Sequence, residues 1–255
     1  VKGMDKEIFF GESYAPEVEY VGIVPGDVFA SPGFAFLDGQ TDTSQLAVGQ
    51  YPIFAIGAFD SRYQVQGGQG TLTIKAKPAI ISVGNTEHMF DGSAKNITVT
   101  TEPAGLAHTV TFDGGALPVN AGTHGFTVTI TDPNHVGEFK GALVIKPTQA
   151  TITLSDLQAV YDGTAKPATV TIDPANVAFT VTYNGNPNPP SLAGTYSVDV
   201  NVTDANSAGS ATGLLVISKS EATISLLGLS QVADGSPRVV TAQTTPADLN
   251  TNITY

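Results

Sequence analysis

The chain has 255 residues, a formal net charge of −12 and a pI near 4.5, and it contains no cysteine and no tryptophan. That balance excludes a nucleic-acid surface or an anionic-membrane patch built on clustered Lys and Arg, and the missing thiols exclude disulfides, thiolate metal sites and cysteine nucleophiles. No apolar run of about 18 residues occurs, so membrane insertion is not expected within this stretch.

In chain order, a turn-rich opening leads through Pro25-Gly26-Asp27 to the apolar stretch Val28 to Leu37, which carries Phe29, Phe34 and Phe36. Counted against the later landmarks, the first segment holds about ten extra residues, and this stretch is where they are placed. Such an aromatic-bearing loop is either a partner-binding site or the closure of one end of a core. Thr43 to Val48 is the best helical candidate and is too short for more than a single turn.

From there the chain repeats itself. Phe90-Asp91-Gly92 returns as Tyr161-Asp162-Gly163 after 71 residues and as Ala233-Asp234-Gly235 after 72 more. Glu102-Pro103, Asp173-Pro174 and Thr245-Pro246 keep the same register, as do Val110-Thr111-Phe112, Val181-Thr182-Tyr183 and Ile253-Thr254-Tyr255. Ala121-Gly122-Thr123 pairs with Ala193-Gly194-Thr195, and Gly141 to Ile145 with Gly213 to Ile217. Val48 to Tyr51 and Gly70 to Ile74 carry these last two landmarks back into the first segment. The period is too long for a solenoid and fits a small domain copied in tandem. Four units are expected: 1–77, 78–149, 150–221, and 222–255, the last holding only the first half of the pattern. A half domain would leave strand edges and an apolar face unpaired, so a longer polypeptide is expected.

Period-two alternation dominates the apolar segments. Phe126, Val128 and Ile130 alternate with Thr127, Thr129 and Thr131, and Tyr196, Val198, Val200 and Val202 with Ser197, Asp199 and Asn201. Asp91-Gly92, Asp113-Gly114, Asp162-Gly163, Asn184-Gly185 and Asp234-Gly235 read as tight hairpin turns. The expected fold is all-β: tandem immunoglobulin-like β-sandwich domains in an extended rod, with β-grasp-like units bearing one short helix as the alternative. The junctions Lys75 to Pro78, Lys146 to Gln149 and Ser218 to Glu221 are short, leaving few residues free to flex.

Candidate chemistry is sparse. His88, His108, His124 and His135 all fall in the second unit, but at separations that place them on different strands and turns. Asp132-Pro133-Asn134 and Asp204-Ala205-Asn206 resemble the start of a calcium loop without its remaining ligands, and Asx turns account for the same residues. Asp91 with Lys95, and Asp162 with Lys166, are spaced for recurrent ion pairs. No nucleophile elbow, phosphate loop or metalloprotease helix is present, so no catalytic, cofactor or metal residues are assigned.

Tyr161 to Pro167, Asp173-Pro174, Val181 to Tyr183, Ala193 to Tyr196 and Gly213 to Ile217 together resemble the MBG domains of bacterial surface and adhesin-like proteins. The second and fourth units fit the same pattern. The first resembles the second MBG type, through Phe10-Gly11-Glu12, Tyr20-Val21-Gly22, Pro25-Gly26-Asp27, Val48 to Ile53 and Gly70 to Ile74. The resemblance implies repetitive, extracellular or cell-surface architecture without catalytic residues. The expected function is a monomeric spacer of a bacterial surface or secreted protein that meets host or environmental glycans or proteins through flanking domains. The alternatives are a carbohydrate- or protein-binding module using Phe29, Phe34 and Phe36, and an accessory module of a secreted hydrolase.

Overall fold

A computed structural model describes residues 1–29, 34–37, 42–58 and 60–254, without the side chains of Phe34 and Phe36. It divides into two compact units, Val1–Lys146 and Pro147–Tyr255. The fold is all-β among the described residues. Among these residues the only helical element is the 3₁₀ turn Thr43–Gln45, capped by Asp42, whose side chain accepts from the Ser44 N–H. Among the described residues no helix crosses a sheet, so the β-grasp alternative fails.

The first segment contains β1 (Lys2–Gly3), β2 (Lys6–Phe9), β3 (Val18–Glu19), β4 (Phe34–Leu37), β5 (Gly49–Ile56) and β6 (Gln69–Lys75). Its main sheet has the order β2-β6-β5-β4, with β2 parallel to β6 and the other pairs antiparallel. The next unit contains β7 (Lys77–Pro78), β8 (Ile80–Gly84), β9 (Glu87–Met89), β10 (Thr98–Glu102), β11 (His108–Phe112), β12 (Gly122–Ile130), β13 (His135–Val136) and β14 (Glu138–Lys146). Here the order is β9-β14-β12-β11, again with the short first strand parallel to the last. A second sheet, β8 with β10, lies across it.

The second compact unit repeats this plan with β15 (Thr148–Gln149), β16 (Thr151–Ser155), β17 (Gln158–Val160), β18 (Thr169–Asp173), β19 (Phe179–Tyr183), β20 (Gly194–Val202), β21 (Ser207–Ala208) and β22 (Ser210–Ser218). Its sheets are β17-β22-β20-β19 and β16-β18. Residues from 222 onward form only the antiparallel pair β23 (Thr223–Leu227) and β24 (Thr241–Thr245). All of β23 is exposed, including Ile224 and Leu226. The matching residues Ile152 and Leu154 pack into the core of the preceding unit.

Each core lies between the two sheets of a unit. Phe112, Phe126, Val128, Leu143 and Ile145 from one face meet Ile81, Val83 and Val99 from the other. In the following copy Tyr183, Val198, Val200, Leu215 and Ile217 meet Ile152, Leu154 and Val170. These are small two-layer sandwiches of immunoglobulin-like layout, in which the opening edge strand crosses from one sheet to the other. The Thr alternation stands on the outer face of β12, opposite buried Phe126 and Val128.

Two landmarks acquire a packing reason. Gly70, Gly141 and Gly213 each stand at a close approach, Gly70 and Gly213 to the second layer and Gly141 to aromatic rings of its own sheet. A Cβ at Gly70 would lie 2.1 Å from the Gly3 carbonyl oxygen, one at Gly141 would lie 2.7 Å from the Phe126 ring, and one at Gly213 would lie 3.0 Å from Leu154. The second landmark is a latch at the start of the longest strand. The hydroxyls of Tyr51 and Tyr196 donate to the carbonyls of Ala47 and Leu192, four residues back, at 2.9 and 3.0 Å. His124 does the same through Nε2, 2.9 Å from the Asn120 oxygen; because that partner can only accept, this nitrogen carries the proton. The arrangement is the tyrosine corner of immunoglobulin-like sandwiches, with imidazole replacing phenol in one copy.

Only one of the five predicted hairpin turns is a two-residue hairpin. Asn184 and Gly185 have φ of 47° and 83°, and Tyr183 and Asn186 exchange backbone hydrogen bonds across them. Asp91-Gly92, Asp162-Gly163 and Asp234-Gly235 instead follow the strand that crosses between sheets or its counterpart position, and turn through their own side chains. The Asp Oδ1 accepts the N–H of Ser93, Thr164 or Ser236 two residues on. Asp113-Gly114 bends differently, with the positive φ at Gly115.

Candidate functional site

The aromatic stretch of the first segment is not one loop. Phe34 to Leu37 form β4, which pairs with β5 by Phe34↔Ile56 and Phe36↔Phe54. This strand covers the free edge of β5, as β11 and β19 cover their neighbours, so its backbone groups are satisfied in a ladder. The side chains of Phe34 and Phe36, and residues 30–33, lie outside the described residues.

Phe29 does enter a cluster. It is 9% exposed and stacks between Tyr20, at 4.9 Å between ring centroids, and Tyr63, at 5.5 Å. Three charged residues, Asp27, Asp60 and Arg62, frame this stack. Arg62 grips the buried Asp60 through Nε and Nη2, both at 2.9 Å, and reaches Asp27 through Nη1 at 2.9 Å. The Tyr63 hydroxyl donates to Asp27 Oδ2 at 2.6 Å and accepts from the Val24 N–H at 2.9 Å. The hydrogen bond to Asp60 raises the Arg62 pKa further, and the bond to Asp27 raises that of Tyr63. Both groups therefore hold their protons firmly at neutral pH.

Beside the stack is a concavity of about 230 Å³ bordered by Tyr20, Ile23, Phe29, Tyr63, Gln64 and Gln66. The charges of Asp27, Asp60 and Arg62 are paired with one another beside it, and the network ties loops together. Phe29 is buried within the aromatic stack, and the tyrosine rings border the opening. In the sequence only Asp60, Arg62 and Tyr63 stand near one another, and Asp27 lies more than thirty residues away.

The four histidines remain apart. His88 bonds the carbonyls of Asn85 and Asn96, His108 that of Leu106, His124 that of Asn120, and His135 the Asp132 carboxylate at 2.8 Å. Among the described residues no three His, Asp or Glu side chains stand together as a metal site. Asp132 and Asp204 each accept the N–H two residues on, at 2.9 and 2.8 Å, so both Asp-x-Asn segments are Asx turns.

These turns have a structural task. The residues immediately after them, β13 and β21, pair in parallel with β7 and β15, the strands at the unit junctions. Within Val1–Lys146 the grip extends backward: Asn134 Oδ1 accepts the Val48 N–H at 3.0 Å, and Phe10 meets the His135 ring edge-on at 5.5 Å.

The ion pairs also recur. Lys95 and Lys166 approach Asp91 and Asp162 at 2.5 Å, and Arg238 pairs with Asp234. Hydrogen bonds from Lys95 and Lys166, reinforced by Ser93 and Thr164, hold the Asp91 and Asp162 carboxyls well below the usual carboxylate range. All three pairs occupy one position in successive copies, which marks them as scaffold.

The profile of the MBG domain matches residues 79–149, 150–221 and 222–255. No curated protein matches the chain. Among solved structures, immunoglobulin domains 1–4 of Sidekick-1 align over 87% of this chain and 74% of that one, at 9% identity and a TM-score of 0.31. So low a score carries no argument, and the fold assignment rests on the ladders and cores above. Three consecutive profile matches covering most of the residues, on sandwiches whose shared landmarks serve the same packing roles, establish that the chain belongs to the MBG domain family.

Proposed function

We propose that this tandem repeat module is a non-catalytic spacer of a bacterial cell-surface or secreted adhesin-like protein, carrying neighbouring domains away from their point of attachment. The observation that supports this most directly is the treatment of the junctions. Lys77–Pro78 and Thr148–Gln149 are hydrogen-bonded to the unit that follows them. The Lys77 and Ala79 N–H groups reach the Asn134 and Val136 carbonyls, and the Thr148 and Ala150 N–H groups reach those of Asn206 and Ala208. A chain meant to swing freely between domains has no use for such ladders. A spacer does, because junction residues bonded into the next unit leave fewer residues free to flex. The acidic charge keeps such a chain soluble and self-repelling. Small-angle X-ray scattering tests the reading: a spacer is an elongated particle, and a compact one would overturn it.

The cleft beside Tyr20 and Tyr63 favours a second reading, in which the first segment binds a carbohydrate or protein surface through its aromatic rim. Tyr20→Ala and Tyr63→Ala, assayed for adherence and for melting temperature, separate lost contact from lost packing.

A further inference from the structure

The two complete MBG units differ in length at one place. They run 71 residues apart at Phe112 and Tyr183 but 72 apart at Gly122 and Gly194, so the third unit's extra residue lies in the loop between β19 and β20. That loop, Asn184-Gly185-Asn186-Pro187-Asn188-Pro189-Pro190, has three asparagines where the second unit has Asp113, glycines, Ala116 and Leu117.

In both copies the loop is held at matching points. Lys166 donates its backbone N–H to Pro190 at 2.9 Å and Lys95 does so to Pro118 at 2.8 Å, while the Tyr196 and His124 latches close the far end. Behind the loop lies a concavity, about 450 Å³ in the third unit and about 340 Å³ in the second. The cavity is shared, but the lining is not.

Two carboxamides in the third unit have their orientation set. Asn184 Oδ1 accepts the Ser197 N–H at 2.7 Å, and Asn186 Oδ1 accepts the Asn188 N–H at 2.8 Å. With each oxygen engaged by backbone, each Nδ2 is left to donate outward. Around them are the rings of Pro189, Pro190 and Tyr196 and the side chain of Leu192, which is 65% exposed.

We propose that this cleft is a binding site for a neutral glycan, with Asn184 and Asn186 donating to sugar oxygens and the Pro190, Leu192 and Tyr196 surface receiving the C–H face of a pyranose. Amide donors do not hold a cation, and the net charge of −12 disfavours a polyanion. A ring rich in oxygen acceptors but apolar on one face satisfies both kinds of surface. Because the loop is held by its own hydrogen bonds, little ordering entropy opposes binding. The site is independent of the spacer role.

The test uses the whole chain, labelled with ¹⁵N and titrated at millimolar concentration with methyl α-mannopyranoside, methyl β-galactopyranoside and methyl β-N-acetylglucosaminide. At least one sugar is expected to shift the amides of Gly185, Asn186, Asn188 and Leu192 while leaving those of residues 113–121 unmoved. The double variant N184D/N186D keeps both oxygen acceptors for the Ser197 and Asn188 N–H groups, so the hydrogen bonds that set the loop are retained. It is expected to melt as the parent does and to lose about tenfold or more in affinity. Absence of shifts with all three sugars, equal shifts in both loops, or undiminished binding by the double variant would overturn the assignment.

Discussion

Gly70, Gly141 and Gly213 occupy one landmark in three units, yet they do not tolerate a methyl group equally. At Gly70 the new carbon would meet a backbone carbonyl; at Gly141 it would meet Phe126 and Phe139; at Gly213 it would meet the ends of Leu154 and Leu157. Backbone yields least and leucine methyls most, so Gly→Ala is expected to destabilise in the order 70, 141, 213. The first two fall at about 1–3 kcal/mol and the last below about 1 kcal/mol, read by urea unfolding of each variant. The carboxylates make a second prediction. Asp91 and Asp162 have folded pKa values below their unfolded ones, through hydrogen bonds from Lys95 and Lys166. Their contribution is therefore complete above about pH 4 and lost as pH falls toward the folded values. Asp162→Asn should lower the melting temperature at pH 6 and flatten its decline below pH 4; a parallel acid profile in the variant would contradict the assignment. The Asp and Lys at these positions were legible as pairs from their spacing. The Arg62, Asp60, Asp27 and Tyr63 network was not, because Asp27 stands far from its partners in sequence and no local pattern announces the fold that brings them together.

Among elements, the junction strands were read from the sequence as short linkers, but length alone does not reveal a ladder. β7 and β15 each have two residues and little apolar character, below what periodicity can register. Their partners, β13 and β21, lie almost sixty residues away beyond an Asx turn. Hydrogen exchange should find the Lys77, Ala79, Thr148 and Ala150 amides protected as strand amides are, rather than exposed as in a flexible linker. Asn134→Ala removes the side-chain acceptor of the Val48 N–H while leaving its own carbonyl bonded to Lys77. Exchange should accelerate at Val48 and not at Lys77. Acceleration at both would mean that the side chain organises the entire joint. The long strands differ: alternation with threonines marks Phe126, Val128 and Ile130 as one face, and all three are buried. Phe179 shows where alternation weakens, since it begins β19 and remains exposed at the end of the sandwich.

For the whole molecule, the spacer reading makes a numerical demand. A compact chain of this length has a radius of gyration of about 18 Å. Units placed end to end, each contributing about 30–40 Å, give roughly 30–35 Å. On the proposed spacer role, scattering at low and high salt returns the larger value in both, and the smaller value would contradict that role. A particle that contracts with salt would instead attribute extension to the charge of −12. The sequence by itself determined the repeat, the all-β class and the inward faces of the long strands, because periodicity and turn chemistry are local and recur with each copy. Only the tertiary structure decided that the opening edge strand joins the opposite sheet, that the glycine landmarks are points of close packing, that the Asp-x-Asn turns precede the strands bonded to the junctions, and that a loop one residue longer is anchored at the same Lys backbone as its counterpart. Each of these depends on partners distant in sequence, whose meeting is set by packing.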